Sequence, residues 1–479
     1  MNFEKKVNCI LLYGFHQRPM HKYAGPFRIA TELRNKGYTV QCIDISSFSK
    51  LDENFLKILS CFIDKNTLWL GFSTTFFSSI NKLDFENLIQ FAKNINPNLE
   101  IIGGGSRVDL LTDLEIKLFL GYSDTEIIEF TDWCAKKNKN LKFNFKLING
   151  SEYNDFCNSQ IIYDPSDFIL SSDVLPIEIS RGCIFKCKFC SYELNGKTKG
   201  EWIKNPKVLI DEFNRNYNDW GVTNYIFSDD TYNDSLEKIK KMYYEVFEKL
   251  TFKIKFSAYL RLDLIMRFPE MAHFLKESGL ENAIFGIETI NFESAKSIGK
   301  GVNPELQFNF IKELKEKEFK NINIHSGFIL GLPYDTEATC VDTKNFLLSD
   351  ANPLDSFSIQ RLGLNIKDNN PLRTNYSEFE LNYEKYGYIV DKDGNWVNKK
   401  TNLNSNTAGH YSSIIMNEAF KKFKVPGFMH SYYKIFNIPD QDLKIMSHSQ
   451  LKNFYKIELL QYKKKEEYKK QLKKFVNLN

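Results

Sequence analysis

Residues 174–192 read VLPIEISRGCIFKCKFCSY. A short apolar strand, 174–180, runs directly into a loop that places Cys183, Cys187 and Cys190 within eight residues. From this point the chain alternates. Strand patterns recur at 223–230, 252–263, 280–289, 321–331 and 355–364, and every strand but the last is followed by an amphipathic helix pattern. Six βα units predict an open barrel, three-quarters of the eight-unit closed form. Right-handed crossovers bring the C-terminal ends of all six strands to one rim. The cysteine loop leaves the first of these strands, so it belongs to that rim.

At 479 residues the chain exceeds one ordinary core, and two or three domains are expected. Residues 1–135 alternate as well: strands at 7–15, 38–46, 68–74 and 99–105, and helices at 27–37, 80–97 and 125–137. Glycine at the strand ends and strand–helix alternation predict a Rossmann-like, doubly wound parallel sheet. Its ligand-facing strand ends are Tyr13–His16, Ser73–Phe76 and Gly103–Arg107. Residues 136–173 read as a connector, 174–366 as the partial barrel, and 367–479 as a mainly helical C-terminal region, with 395–410 a polar loop.

A hydrophobic content of 42% and a charged content of 26% are those of a globular chain. No run of eighteen apolar residues occurs, so no membrane span and no membrane partner are expected. The N-terminus lacks a cleavage site and reads as a first strand, which predicts a cytoplasmic protein. The net charge of +4 names no partner. Residues 451–479 hold nine Lys and three Glu. They read as a solvated helix, with a nucleic-acid or anionic partner as the alternative. Six of the nine cysteines are scattered, which excludes a secreted disulfide framework.

The clustered cysteines have the spacing Cys-x3-Cys-x2-Cys. Thiolates select zinc, copper(I) or iron–sulfur clusters. Zinc needs a fourth donor; the next histidine is His273, and Cys157 precedes the strand. A cubane [4Fe–4S] cluster held by three thiolates keeps one iron open. Lys186 and Lys188 flank the cysteines and favour thiolates.

This loop, with Phe189 as the aromatic before the last cysteine, resembles the signature of the radical S-adenosylmethionine (SAM) superfamily, whose members use a partial (β/α)6 barrel. The resemblance implies a [4Fe–4S] cluster on Cys183, Cys187 and Cys190, with SAM chelating the open iron through its amino and carboxylate groups. It also implies roles at the other strand ends. Asp229 and Asp230 resemble the acidic pair that meets the methionine amino group; a helix cap is their structural alternative. Arg261 resembles the residue that reaches the methionine carboxylate, the alternative being a salt bridge with Asp263. Glu288 resembles the ribose-contacting acid, or is a cap at Asn291. Gly327 to Pro333 resembles the stretch packed on adenine, which gives Gly327 and Gly331 that role, or tight barrel packing. Lys300 and Gly301 match a family pattern that is also an ordinary helix end. His325 reads as a core histidine before a proton donor; Gln360 and Asn365 are weaker candidates.

A Rossmann-like domain before such a barrel resembles the cobalamin-binding subclass, with Gly104 in its strand-plus-glycine element. The stretch 121–130 sits where that subclass shows Gly-x-Gly-Glu, but its glycines and first acid are altered. His21 lacks the context of a cobalt ligand. Cys9, Cys42 and Cys61 lie within strands or after a helix and do not make a second cluster. The implied activity is reductive SAM cleavage to a 5′-deoxyadenosyl radical, hydrogen abstraction from a substrate, and cobalamin-dependent C-methylation. Its alternative is a cobalamin-free rearrangement, cyclisation or oxidation. A binding protein with an inert cluster is disfavoured by the cofactor-shaped rim. The implied partners are a small-molecule or peptide substrate and an electron donor such as flavodoxin or ferredoxin.

Overall fold

The structure, a computed structural model, describes residues 6–14, 22–48, 51–75, 81–136, 147–150, 156–366, 372–373, 375–423 and 450–477. The chain divides into two compact units, Met1–Leu175 with Glu458–Asn479, and Pro176–Ile457.

The first unit holds β1 (Cys9–Tyr13), α1 (Ala24–Asn35), β2 (Val40–Asp44), α2 (Glu53–Ser60), β3 (Trp69–Ser73), α3 (Lys82–Ile95), β4 (Glu100–Gly104), β5 (Lys117–Leu120), α4 (Asp124–Cys134) and β6 (Leu147–Asn149). Its sheet is parallel, in the order β2-β1-β3-β4-β5-β6. β1 and β2 are buried along their whole length, as strands covered on both faces must be. The order places a topological switch point between β1 and β3, where such sheets bind ligands. Of the loops there, Gly14 and Thr74 to Thr75 are described; His16, His21 and Phe76 lie outside the described residues. The Rossmann-like expectation holds, with two more strands than anticipated. β5 and β6 are four and three residues long, too short for periodicity to register.

The connector and the last helix also pack differently from the sequence-based division. The Arg34 guanidinium grips the fully buried carboxylate of Asp167 through two hydrogen bonds of 2.7 and 2.8 Å. Thr31 Oγ1 accepts from Ile162 N at 2.9 Å. These bonds lay residues 160–167 along α1. At the other terminus, Tyr468, Leu472 and Val476 are buried. Tyr468 Oη accepts from Asp44 N at 3.0 Å, and Phe475 stacks on Phe62 at 6.2 Å. The basic C-terminal helix therefore docks one face on the first unit instead of being solvated all round.

The second unit begins within β7 (Val174–Ile177). It continues through α5 (Pro206–Trp220), β8 (Asn224–Phe227), α6 (Leu236–Glu245), β9 (Lys255–Leu260), α7 (Leu262–Arg267), α8 (Glu270–Glu277), β10 (Leu280–Glu288), α9 (Phe292–Ser297), α10 (Pro304–Lys317), β11 (Asn323–Leu330), α11 (Glu337–Leu348) and β12 (Ser356–Arg361). The sheet order is β12-β11-β10-β9-β8-β7, an open parallel barrel with β7 and β12 at its edges. Aromatic rings such as Phe227 and Phe256, stacked at 4.0 Å, pack between strands and helices.

Beyond the barrel come α12 (Glu378–Leu381), β13 (Tyr388–Val390), β14 (Trp396–Asn398), α13 (Ser405–Phe423) and α14 (Gln450–Phe475). Residues 395–410, expected to be a polar loop, instead contain β14 and the start of α13. Trp396 is buried there: its Nε1 donates to Leu362 O at 2.8 Å, and its ring fills the space over Gly331. One buried tryptophan among polar neighbours is too sparse a signal for periodicity. α13 packs against α11 and β12, and Ser412 Oγ donates to Ile359 O at 2.9 Å.

No described helix is long and apolar enough to cross a membrane.

Candidate functional site

The cysteine loop is folded back on itself by backbone geometry. Gly182 has φ +73°, and a Cβ there would press on Leu194. Cys183 N donates to Leu194 O at 3.2 Å, Gly196 N to Cys183 O at 2.7 Å, and Cys190 N to Cys187 O at 3.0 Å. Arg373 Nη2 braces the loop from outside through Ser191 Oγ at 2.6 Å.

All three cysteines line one cavity of about 460 Å³, together with Phe189, Asp230, Arg261, Glu288, Gly327 and Gln360. Residues at or just beyond the C-terminal ends of all six strands contribute to it. Each cysteine sulfur has its own polar neighbour. Thr231 Oγ1 lies 3.2 Å from Cys183 Sγ, Asn195 Nδ2 donates to Cys190 Sγ at 3.2 Å, and Arg261 Nη1 donates to Cys187 Sγ at 3.5 Å. Burial pushes the free thiols of Cys183 and Cys190 up.

Among the described residues, no His, Cys, Asp and Glu side chains are grouped as ligands of a single metal ion. All three thiols line this one cavity. A polynuclear cluster gives each sulfur its own iron, whereas zinc draws all donors to one centre.

The two aspartates after β8 separate. Asp230 faces the cavity; burial, then the neighbouring Asp229, raise its carboxyl to about 6. Asp229 does not line the cavity. Its carboxylate accepts from Ile179 N at 2.8 Å, Ser180 Oγ at 2.6 Å and Lys238 Nζ at 3.2 Å. Lys238 also donates to Ser180 Oγ at 2.6 Å and lies 3.7 Å from Asp234. Asp229 is thus turned away from the cavity and ties down the entry to the cysteine loop. Lys238 and Lys197, which complete this buried network, carry no motif that sequence reading could use.

Arg261 takes the salt bridge that the sequence allowed. Its Nε and Nη2 reach both oxygens of Asp263 at 2.8 and 2.5 Å, and its guanidinium lies 4.0 Å over the Phe185 ring. Burial works against the Asp263 carboxylate, but the Arg261 hydrogen bonds and charge outweigh it and hold the carboxyl below its ordinary value.

Glu288 sits at φ +72°, an uncommon backbone state for a non-glycine residue, where β10 shifts register against β11. Lys300 Nζ pairs with its carboxylate at 3.2 Å and also binds Gly286 O. A Cβ on Gly286 would collide with both side chains, so this glycine makes the pairing possible. Glu288 does not cap Asn291, which instead caps α9 itself.

The two glycines of β11 also part company. At Gly327 the nearest atom to an added Cβ is Ser358 Oγ at 3.9 Å, so the backbone is open to the cavity. Gly331, φ +94°, is required by Trp396 and lies outside the cavity lining. His325 is fully buried, with Nδ1 2.8 Å from Ser356 Oγ and Nε2 3.2 Å from Ser358 Oγ. Asn365 N and Nδ2 donate to Glu380, away from the lining.

In the first unit, Gly104 ends β4, where an added Cβ would make only an ordinary 3.5 Å contact with Phe119. Cys9 and Cys42 are buried within β1 and β2, and Cys61 bonds back to Lys57 O at the end of α2.

Residues 177–347 match the Radical SAM superfamily model. An uncharacterised methyltransferase of Pyrococcus horikoshii is 24% identical over 296 residues, 55% of this chain and 61% of the relative. Bacteriochlorophyllide d C-12(1)-methyltransferase of Chlorobaculum tepidum is 25% identical over 190 residues, 39% of this chain and 40% of the relative. The chain therefore spans less than two thirds of either relative. Among solved structures, TsrM of Kitasatospora setae, a radical SAM methyltransferase with cobalamin and a [4Fe–4S] cluster bound, superposes with a TM-score of 0.54 at 14% identity, over 75% of this chain and 76% of that one. The cobalamin-dependent enzyme OxsB, with aqua-cobalamin and SAM bound, gives a TM-score of 0.54 at 18% identity, over 80% and 56%. What these structures share with this chain is the fold alone. The matched segment, similar to the radical SAM superfamily, coincides with the barrel that carries the three cysteines.

Proposed function

We propose that the protein is a radical SAM enzyme that cleaves SAM reductively to a 5′-deoxyadenosyl radical, abstracts hydrogen from a substrate, and uses cobalamin to methylate carbon. The observation that carries the reading is the convergence of the three thiols on one cavity with strand ends from the whole open barrel.

When bound, a [4Fe–4S] cluster supplies an electron to the sulfonium and an open iron for the methionine group. The chain's own residues do the rest. Cys183, Cys187 and Cys190 hold the cluster. Asp230 offers a carboxylate to the methionine ammonium. Gly327 lets the flat adenine approach the β11 backbone. Glu288, fixed by Lys300, presents an acceptor to the ribose hydroxyls. Phe185, Phe189 and Ile284 give the cavity apolar walls that limit water around a reactive species. In the first unit, the switch point and the uncrowded β4 end at Gly104 suit a large planar cofactor. A flavodoxin- or ferredoxin-type protein supplies the electron, and a small molecule or peptide is the substrate.

The test is anaerobic reconstitution followed by iron and 5′-deoxyadenosine assays. About four irons per chain and dithionite-dependent 5′-deoxyadenosine support the reading; zinc alone, or no cleavage, refutes it. Cys187→Ala is expected to lose both signals. Expression with hydroxocobalamin tests the methylation arm: no corrinoid absorbance in the purified protein overturns it.

A further inference from the structure

Among the described residues, Arg261 is one of five Asp, Glu, Lys and Arg side chains lining the cavity, and its three nitrogens are already committed. Nε and Nη2 hold Asp263, and Nη1 donates to Cys187 Sγ at 3.5 Å. The guanidinium plane is fixed from a second direction by Phe185, two residues before Cys187. The arginine therefore spans from the end of β9 to the cysteine loop, and only 11% of its side chain is exposed. A guanidinium fork saturated by a carboxylate is poorly disposed to grip a second carboxylate, such as that of methionine.

We infer that Arg261, held by Asp263, is a positioning residue that sets the reduction potential of the cluster through its hydrogen bond to Cys187. The inference rests on the reading of the cysteine loop as a [4Fe–4S] site. The physical reason is electrostatic. An N–H···S bond and a nearby cation stabilise the more negative, reduced cluster, and hydrogen bonds to ligand sulfurs are among the factors that set such potentials. Asp263 acts in the opposite sense: it fixes the guanidinium and partly cancels its charge. The two side chains thus have opposite expected effects on one measurable quantity.

The experiment is a potentiometric titration of the reconstituted protein without SAM, followed by the electron paramagnetic resonance signal of the reduced cluster. Wild type, Arg261→Met, Arg261→Lys and Asp263→Asn are compared at equal iron content. Arg261→Met is expected to move the midpoint to lower potential. Arg261→Lys is expected to fall between it and wild type, because charge is kept while the fork and the ring stacking are lost. Asp263→Asn is expected to move the midpoint upward. If Arg261→Met fails to retain iron, the sign of the Asp263→Asn shift decides. Unchanged midpoints with full iron content overturn the inference. So does a loss of SAM affinity in Arg261→Met at an unaltered midpoint, which would return Arg261 to the methionine carboxylate. Failure of wild type to hold four irons would strike the underlying reading instead.

Discussion

At the scale of the residue, the two adjacent aspartates after β8 show how one position separates a cavity-facing side chain from a structural one. Asp230 faces the cavity with its carboxyl raised to about 6, by burial first and Asp229 second. The free site is therefore increasingly neutral below that value, and a neutral carboxyl does not attract an ammonium group. SAM affinity should fall as pH drops through about 6, approaching tenfold per pH unit. Equilibrium dialysis of the reconstituted protein between about pH 5 and 8 checks this. Asp230→Asn is expected to bind more weakly at neutral pH and to flatten the profile; a wild-type affinity independent of pH would remove Asp230 from ammonium recognition.

At the scale of the element, the cysteine loop depends on what lies beneath it. Asp229, Ser180 and Lys238 tie the end of β7 to the β8 loop and to α6 through a network buried from solvent. Removing one partner of a buried charge pair leaves the other uncompensated, at a cost of about 3–5 kcal/mol. Asp229→Ala should therefore lower the urea midpoint of the second unit and reduce iron per chain. Asp229→Asn, which keeps an acceptor for Ile179 N, should lose less. A variant with wild-type stability and full iron would show that the loop is held by its own backbone bonds alone. The neighbouring hairpin β13–β14 works in the same way on the far edge, where Trp396 and Tyr388 fix Gly331 and the turn after β11.

At the scale of the whole molecule, the chain closes its first unit last. Residues 458–479 supply the buried Tyr468, Leu472 and Val476 and the ring of Phe475 to a sheet built from the first 150 residues. Deleting 458–479 should expose Phe62 and Phe168 and increase amide hydrogen exchange across the first unit. Iron content of the second unit should be retained, because neither the three clustered cysteines nor any described cavity-lining residue lies in the deleted segment. Equal exchange in the full and truncated proteins would mean that the helix contributes no stability.

The six barrel strands, the parallel sheet of the first unit and the three clustered cysteines are all legible along the chain. These follow from periodicity and spacing, which are local and repeat along the chain. The sequence also named the strand-end residues, because right-handed crossovers leave all those ends on one rim. Which of them face the cavity and which are held by neighbours follows from the packing. Asp229 and Asp230, Gly327 and Gly331, and Arg261 between Asp263 and Cys187 differ in which distant side chain packs against them. The docking of 156–175 and 458–477 on the first unit was equally hidden, since it depends on Asp167 meeting Arg34 and Phe475 meeting Phe62. Contacts between residues far apart in sequence leave no period to read, and at this site those contacts separate a cavity-facing group from a structural one.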